Sequence, residues 1–114
     1  TRGTSLAAQL DARLQTEKQD TLLTWAARHG QAEAVRLLLE ANAATDQARI
    51  DGATPLYIAC EKGHLELARL LLETGASVSQ ARNDGVTPLL IACHFGHLEV
   101  AKLLSSYGAS HAAV

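Results

Sequence analysis

The chain has 114 residues, with 10 Lys or Arg against 12 Asp or Glu and a formal net charge of −2. That length suits one domain with a modest core, and the balanced charge leaves no basic stripe of the kind nucleic acid requires. No apolar run approaches a membrane span, Leu89-Leu-Ile-Ala-Cys93 being among the longest, and the opening Thr-Arg-Gly-Thr-Ser is not a secretory signal.

Ala and Leu dominate the apolar residues, and the aromatics are only Trp25, Tyr57, Phe95 and Tyr107. This composition suits closely packed helices. Methionine is absent, even at position 1, which is expected of a processed or excised part of a longer protein.

Residues 1–17 carry Leu6, Leu10 and Leu14 at i, i+4 and i+8. This stripe predicts one amphipathic helix over about 4–15, capping the N-terminal edge of the remaining chain. From residue 18 onward the chain repeats with a period of 33. The repeats divide it into units 18–50, 51–83 and 84–114. The first unit is divergent and is found by register: Thr21, Leu23, Ala26, Gly30, Glu33 and Arg36-Leu-Leu-Leu-Glu40 return as Thr54, Leu56, Ala59, Gly63, Glu66 and Arg69-Leu-Leu-Leu-Glu73. The later units agree far better. Asp51-Gly-Ala-Thr-Pro-Leu-Tyr-Ile-Ala-Cys60 returns as Asp84-Gly-Val-Thr-Pro-Leu-Leu-Ile-Ala-Cys93. A fixed period of this length signifies stacked supersecondary units.

Unit two shows the physical plan. Asp51-Gly52 is a tight-turn signal. Thr54 can cap a helix whose first position is Pro55, and Leu56, Ala59, Cys60 and Gly63 fall on one face of it. Gly63-His64 breaks that helix. A second runs from about Leu65 to Thr74, with Gly75 as its C-terminal cap. Helices are therefore expected to start near 21, 32, 55, 65, 88 and 98, with turn tips between units and no sheet. Trp25 stands at the position of Ile58 and Ile91 and is expected in the core. In unit three, Ser105 replaces Leu72, as suits a C-terminal unit whose outer side meets water.

Asp51-Gly-Ala-Thr-Pro-Leu-Tyr-Ile-Ala, Gly63-His-Leu-Glu and Leu70-Leu-Leu-Glu-Thr-Gly-Ala together resemble the ankyrin repeat. The resemblance covers about 18–114 and implies an all-α solenoid of about three helix-turn-helix units plus the N-terminal capping helix. The sequence departs from the family pattern where Thr24, Tyr57 and Leu90 replace the usual His. Unit one departs further, with Leu22 for Pro, Gln19 for the turn Gly, and Asn42 for the capping Gly. Atypical terminal units are expected in such arrays.

In ankyrin-like repeats, partners are met by the turn tips and the exposed side of the first helices. Carried onto this chain, the tips are Glu17, Lys18 and Asp20, then Arg49, Ile50, Asp51 and Ala53, then Arg82, Asn83, Asp84 and Val86. The first-helix positions are Arg28 and His29, Glu61 and Lys62, His94 and Phe95, with Tyr57 and Leu90 nearby. Phe95 is the aromatic that stacking alone does not require. The second-helix faces bearing Glu33, Arg36, Glu40, Glu66, Arg69, Glu73, Glu99 and Lys102 read as solvated surface.

Catalytic and metal chemistry lack a pattern. The five histidines form no Cys-x-x-Cys or His-x-x-x-His cluster, and His64 and His97 read as turn residues bonded to backbone. Cys60 and Cys93 occupy equivalent positions in neighbouring units. They are too far apart for a disulfide, whose Cα atoms lie within about 7 Å, and both are expected to be reduced and packed against a neighbour, where thiols are inert. The sequence thus reads as a monomeric, non-catalytic module that binds another protein, without cofactor or metal and without nucleic-acid or membrane partners. Its expected location is intracellular, cytoplasmic or nuclear. The alternative is a structural or intramolecular regulatory segment of a longer multidomain protein.

Overall fold

A threonine hydroxyl starts each of three short helices. In a computed structural model of the chain, which describes residues 11–108, Thr21 caps α1 (Leu22–Arg28). Thr54 caps α3 (Pro55–Lys62) and Thr87 caps α5 (Pro88–His94). Each Oγ1 accepts from the backbone N–H three residues on, at Thr24, Tyr57 and Leu90, satisfying a donor the helix itself cannot. Thr24 also bonds back, its Oγ1 accepting from Thr21 N at 2.7 Å, which closes a capping box in unit one.

A tight turn then leads to the second helix of each unit: α2 (Ala32–Glu40), α4 (Leu65–Glu73) and α6 (Leu98–Ser106). First helices pack in the order α1, α3, α5, and second helices in the order α2, α4, α6. The fold is an all-α helix-turn-helix solenoid of six helices, with no strand among the described residues. The helix starts agree with the sequence expectation to within one residue.

Positive φ settles the two substitutions that looked least compatible with the repeat. Asn42 adopts φ 70° after α2, and Gln19 adopts φ 56° where Gly52 has φ 88°. Asn tolerates this region; Gln is the more strained of the two.

The core lies between the units. Leu23, Val35, Leu56, Ile58, Leu67, Leu71 and Leu104 are buried. Two histidines fasten the turns. The His97 ring occupies the space a Cβ on Gly63 would need, 2.7 Å from its Cε1, and His64 stands similarly over Gly30 at 3.0 Å. His97 Nε2 donates to the Glu61 carbonyl of the preceding unit at 3.1 Å.

Three expectations are corrected. The predicted N-terminal helix does not extend over residues 11–15, and its earlier part lies outside the described residues. Backbone and side-chain bonds hold 11–15 in a loop instead. Leu14 N donates to Asp20 O at 2.7 Å, Arg13 Nη1 to Gln19 O and Ala48 O at 3.1 and 2.8 Å, and Ala44 N to Asp11 Oδ1 at 2.9 Å. Trp25 is 40 % exposed, because it faces the N-terminal edge of the stack beside Leu22 and Leu37 rather than a neighbouring unit. Cys93 is exposed, whereas Cys60 is buried. Unit three covers Cys60, and no further unit covers Cys93 among the described residues.

This packing is testable in two ways. Leu71→Ala is expected to cost about 2–5 kcal/mol in denaturant unfolding, the range for a truncated core leucine; a change under about 1 kcal/mol would place Leu71 outside the core. An aromatic disulfide reagent should titrate one thiol in the native protein and the second only on unfolding. Burial pushes the Cys60 thiol up to about 12, so it is both covered and protonated. Equal native rates for the two thiols would contradict the packing.

Candidate partner-binding face

The tips that join the units are built from paired charges. In the tip that leads into unit two, Arg49 N donates to Ala53 O and Gly52 N to Arg49 O, both at 2.9 Å, closing the turn. The Arg49 guanidinium grips Asp51 through two bonds, 2.9 and 3.3 Å, and Asp51 Oδ1 accepts from Ala53 N at 3.1 Å. The tip that leads into unit three repeats the device: Arg82 meets Asp84 at 2.6 and 3.1 Å, and Val86 N donates to Asp84 Oδ1 at 3.2 Å. A two-bond guanidinium–carboxylate fork fixes orientation as well as distance.

The tip that leads into unit one has Thr16 and Lys18 at these positions and closes differently. Asp20 Oδ2 accepts from Thr16 Oγ1 at 3.0 Å and from Arg28 Nη2 at 3.1 Å, while Asp20 N donates to Thr16 Oγ1 at 2.8 Å. Asp20 is fully buried in this arrangement. It is therefore a structural residue, correcting the sequence reading of it as a contact residue.

Neighbouring tips are tied to each other. Ile50 N donates to Lys18 O and Asn83 N to Asp51 O, both at 2.9 Å, and Asn83 Nδ2 donates to Ile50 O at 3.1 Å. Lys18, Asp51, Arg82, Asn83 and Asp84 consequently line one shallow depression of about 300 Å³ across the tips.

Tyr57 is the second correction. It is wholly buried, its ring lies under the Arg82 guanidinium at 5.1 Å, and its hydroxyl has no hydrogen-bond partner among the described residues. Burial raises the phenol above its ordinary value. The position that in the family carries His here supports the next unit's tip from below. Sequence spacing could not reveal this, because the contact joins the start of one first helix to the tip that leads into the next unit, far along the chain.

The remaining candidates reach the surface. Lys18, His29, Ile50, Lys62, Asn83, Leu90, His94 and Phe95 are exposed, while Arg28, Arg49, Asp51, Glu61, Arg82 and Val86 are half-buried. Three of them are large apolar side chains: Ile50 is 55 % exposed, Leu90 45 % and Phe95 52 %. Arg82, Val86, Leu90, Ile91 and His94 line a groove of about 400 Å³. Phe95 ends α5 beside it, edge-on to the His94 ring at 4.8 Å and 6.3 Å from the His97 ring. The sequence does not single out Ile91 or His97 for this face; their equivalents in unit two, Ile58 and His64, carry no such signal.

The opposite face differs in kind. Its pairs, Arg36–Glu33 at 3.9 Å and Lys102–Glu99 at 3.5 Å, join exposed side chains on one helix. Pairs of this type contribute little. Among the described residues no group of three or more His, Cys, Asp or Glu could hold a metal ion. None of the described helices is long and apolar enough to cross a membrane.

The tip carboxylates make stability depend on acid. Burial alone would raise Asp51, but the Ala53 N–H and the Arg49 guanidinium outweigh it and hold the group below 3.8. A carboxyl depressed in the folded state stabilises fully above its unfolded value and loses that contribution as pH falls through the folded one. Unfolding free energy is therefore expected to be flat above the ordinary aspartate range and to fall below it. Asp51→Asn should lower the plateau and reduce the acid slope in urea titrations. An unchanged slope would remove Asp51 from the tip network.

A family model described as ankyrin repeats, three copies, matches residues 4–81 and again 23–113. No curated protein matches the chain. The 33-residue period, the six paired helices and a family match over nearly the whole length agree, and the chain belongs to the ankyrin repeat family.

Proposed function

We propose that the protein is a non-catalytic module that binds another protein through its tips and first-helix side. Ankyrin repeats are in general protein–protein interaction modules. The observation that carries the choice of face is the contrast between its two sides. One side combines tips tied to each other with exposed Ile50, Leu90 and Phe95. The other carries solvated, single-helix ion pairs.

A rigid surface loses little conformational freedom on association, so its apolar anchors contribute more of their burial to affinity. Phe95 is the principal anchor in this reading, with the neighbouring groove taking an apolar side chain of the partner. Arg82, Lys18 and Lys62 orient the partner and set the rate of encounter. The free cysteines suit a reducing intracellular setting, cytoplasmic or nuclear, and the module acts as a monomer.

The test needs a partner recovered from native extract and then purified. Phe95→Ala is expected to weaken its binding by about 1 kcal/mol or more, with little change in folding stability. The outer-face double variant Arg69→Ala with Glu73→Ala should bind as the parent does. If the double variant loses the partner and Phe95→Ala keeps it, the binding face is the opposite one.

A further inference from the structure

The N-terminal side of the stack carries a groove of about 290 Å³ lined entirely by apolar residues: Leu22, Trp25 and Ala26 from α1, and Ala34, Leu37 and Leu38 from α2. Leu37 is 57 % exposed, and Trp25 stands beside it. One unit further on, the residue at Trp25's position, Ile58, is fully buried, because unit one lies against that face of unit two. The groove is thus a stacking face of the same kind as the internal ones.

We propose that this groove is the seat of the chain's own first ten residues. Their near end is fastened at the right place. Asp11 Oδ1 accepts from Ala44 N at 2.9 Å, Asp11 O accepts from Gln47 Nε2 at 3.2 Å, and Arg13 Nη1 donates to Ala48 O at 2.8 Å. All three bonds join 11–13 to the loop that succeeds α2. Asp11 and Ala44 are also 33 residues apart, the separation that relates α4 to α2 and α6 to α4. In that register residues 1–7 correspond to 34–40, most of α2, on which a preceding second helix would lie.

Two further observations agree. The family match begins at residue 4, seven positions before Asp11, so the repeat pattern reaches into this segment. Residues 1–10 contain no acidic side chain and only Arg2 as a charge, while Leu6 and Leu10 stand four apart. That spacing gives the segment an apolar side to set against the groove, and in this reading it covers α2 as a preceding unit would.

Trp25 is the chain's single tryptophan, so its fluorescence reads the groove directly. In the full chain, Leu6→Glu with Leu10→Glu is expected to move Trp25 emission to longer wavelength and to increase its quenching by acrylamide. Ala8→Glu, which adds a charge between the two leucines, should change neither. Emission and quenching unchanged in the double variant would overturn the proposal. So would a Trp25 emission that depends on protein concentration in step with a dimer in sedimentation, since a second copy would then be the occupant. Where the double variant loses its helical circular-dichroism signal, a nitroxide on Leu6→Cys in a Cys93→Ser background reads the same contact. Strong quenching of Trp25 supports the seat, and unquenched emission overturns it.

Discussion

No unit of this protein can bury its own apolar surface. A helix pair has apolar residues on both of its broad sides, and packing one helix on the other covers neither. Leu56, Ile58, Ala59 and Cys60 are wholly buried only because unit two lies between two neighbours. Everything else depends on that constraint. Small residues at Ala59, Ala68 and Ala92 allow close approach, and the repeat period fixes which residues meet. Each unit's stability is largely a property of its two interfaces.

The tips are a consequence of the same stacking. Once the helix pairs are in register, successive turns arrive side by side, and their backbone groups must find partners. Ile50 N to Lys18 O and Asn83 N to Asp51 O satisfy them without a sheet. The Arg–Asp forks then hold each turn in one shape. Arg82 has two roles, gripping Asp84 and lying over the Tyr57 ring of the first helix that precedes its tip. A surface placed by stacking in this way is rigid although it consists of loops, and that rigidity is what suits it physically to recognition.

The helices were legible in the sequence because their signals are local. Thr54-Pro55 and Thr87-Pro88 state a helix start within two residues, and Gly63-His64 and Gly96-His97 state where those two helices end. What the sequence concealed is set by neighbours and by position in the array. Trp25 and Ile58 occupy one repeat position, yet one faces an edge and the other an interior. Cys60 and Cys93 have nearly the same flanking residues and opposite exposure. Asp20 reads as a tip charge until Thr16 and Arg28 are seen to enclose it, and Tyr57 as a surface aromatic until Arg82 covers it. Leu14 continues an i, i+4 stripe, but its N–H is committed to Asp20 O rather than to a helix. On the candidate face, Ile50 and Phe95 are apolar side chains in solvent, as the sequence suggests, whereas Val86, which the sequence places with them, is half-buried against the core.

The bonds between neighbouring tips all point one way. Ile50 and Asn83 donate to carbonyls of the tip before their own, and the His97 ring donates to a carbonyl of the unit before it. The array is therefore a polar string rather than a symmetric stack, and its two ends are not equivalent when it frays. If unit three peels away with the tip that leads into it, it leaves behind carbonyl oxygens at Ile50, Asp51 and Glu61. If unit one peels away with its tip, it leaves the Ile50 N–H without its acceptor. Fraying at the C-terminal end, which carries the groove beside Phe95, therefore uncovers acceptors, and fraying at the N-terminal end uncovers a donor.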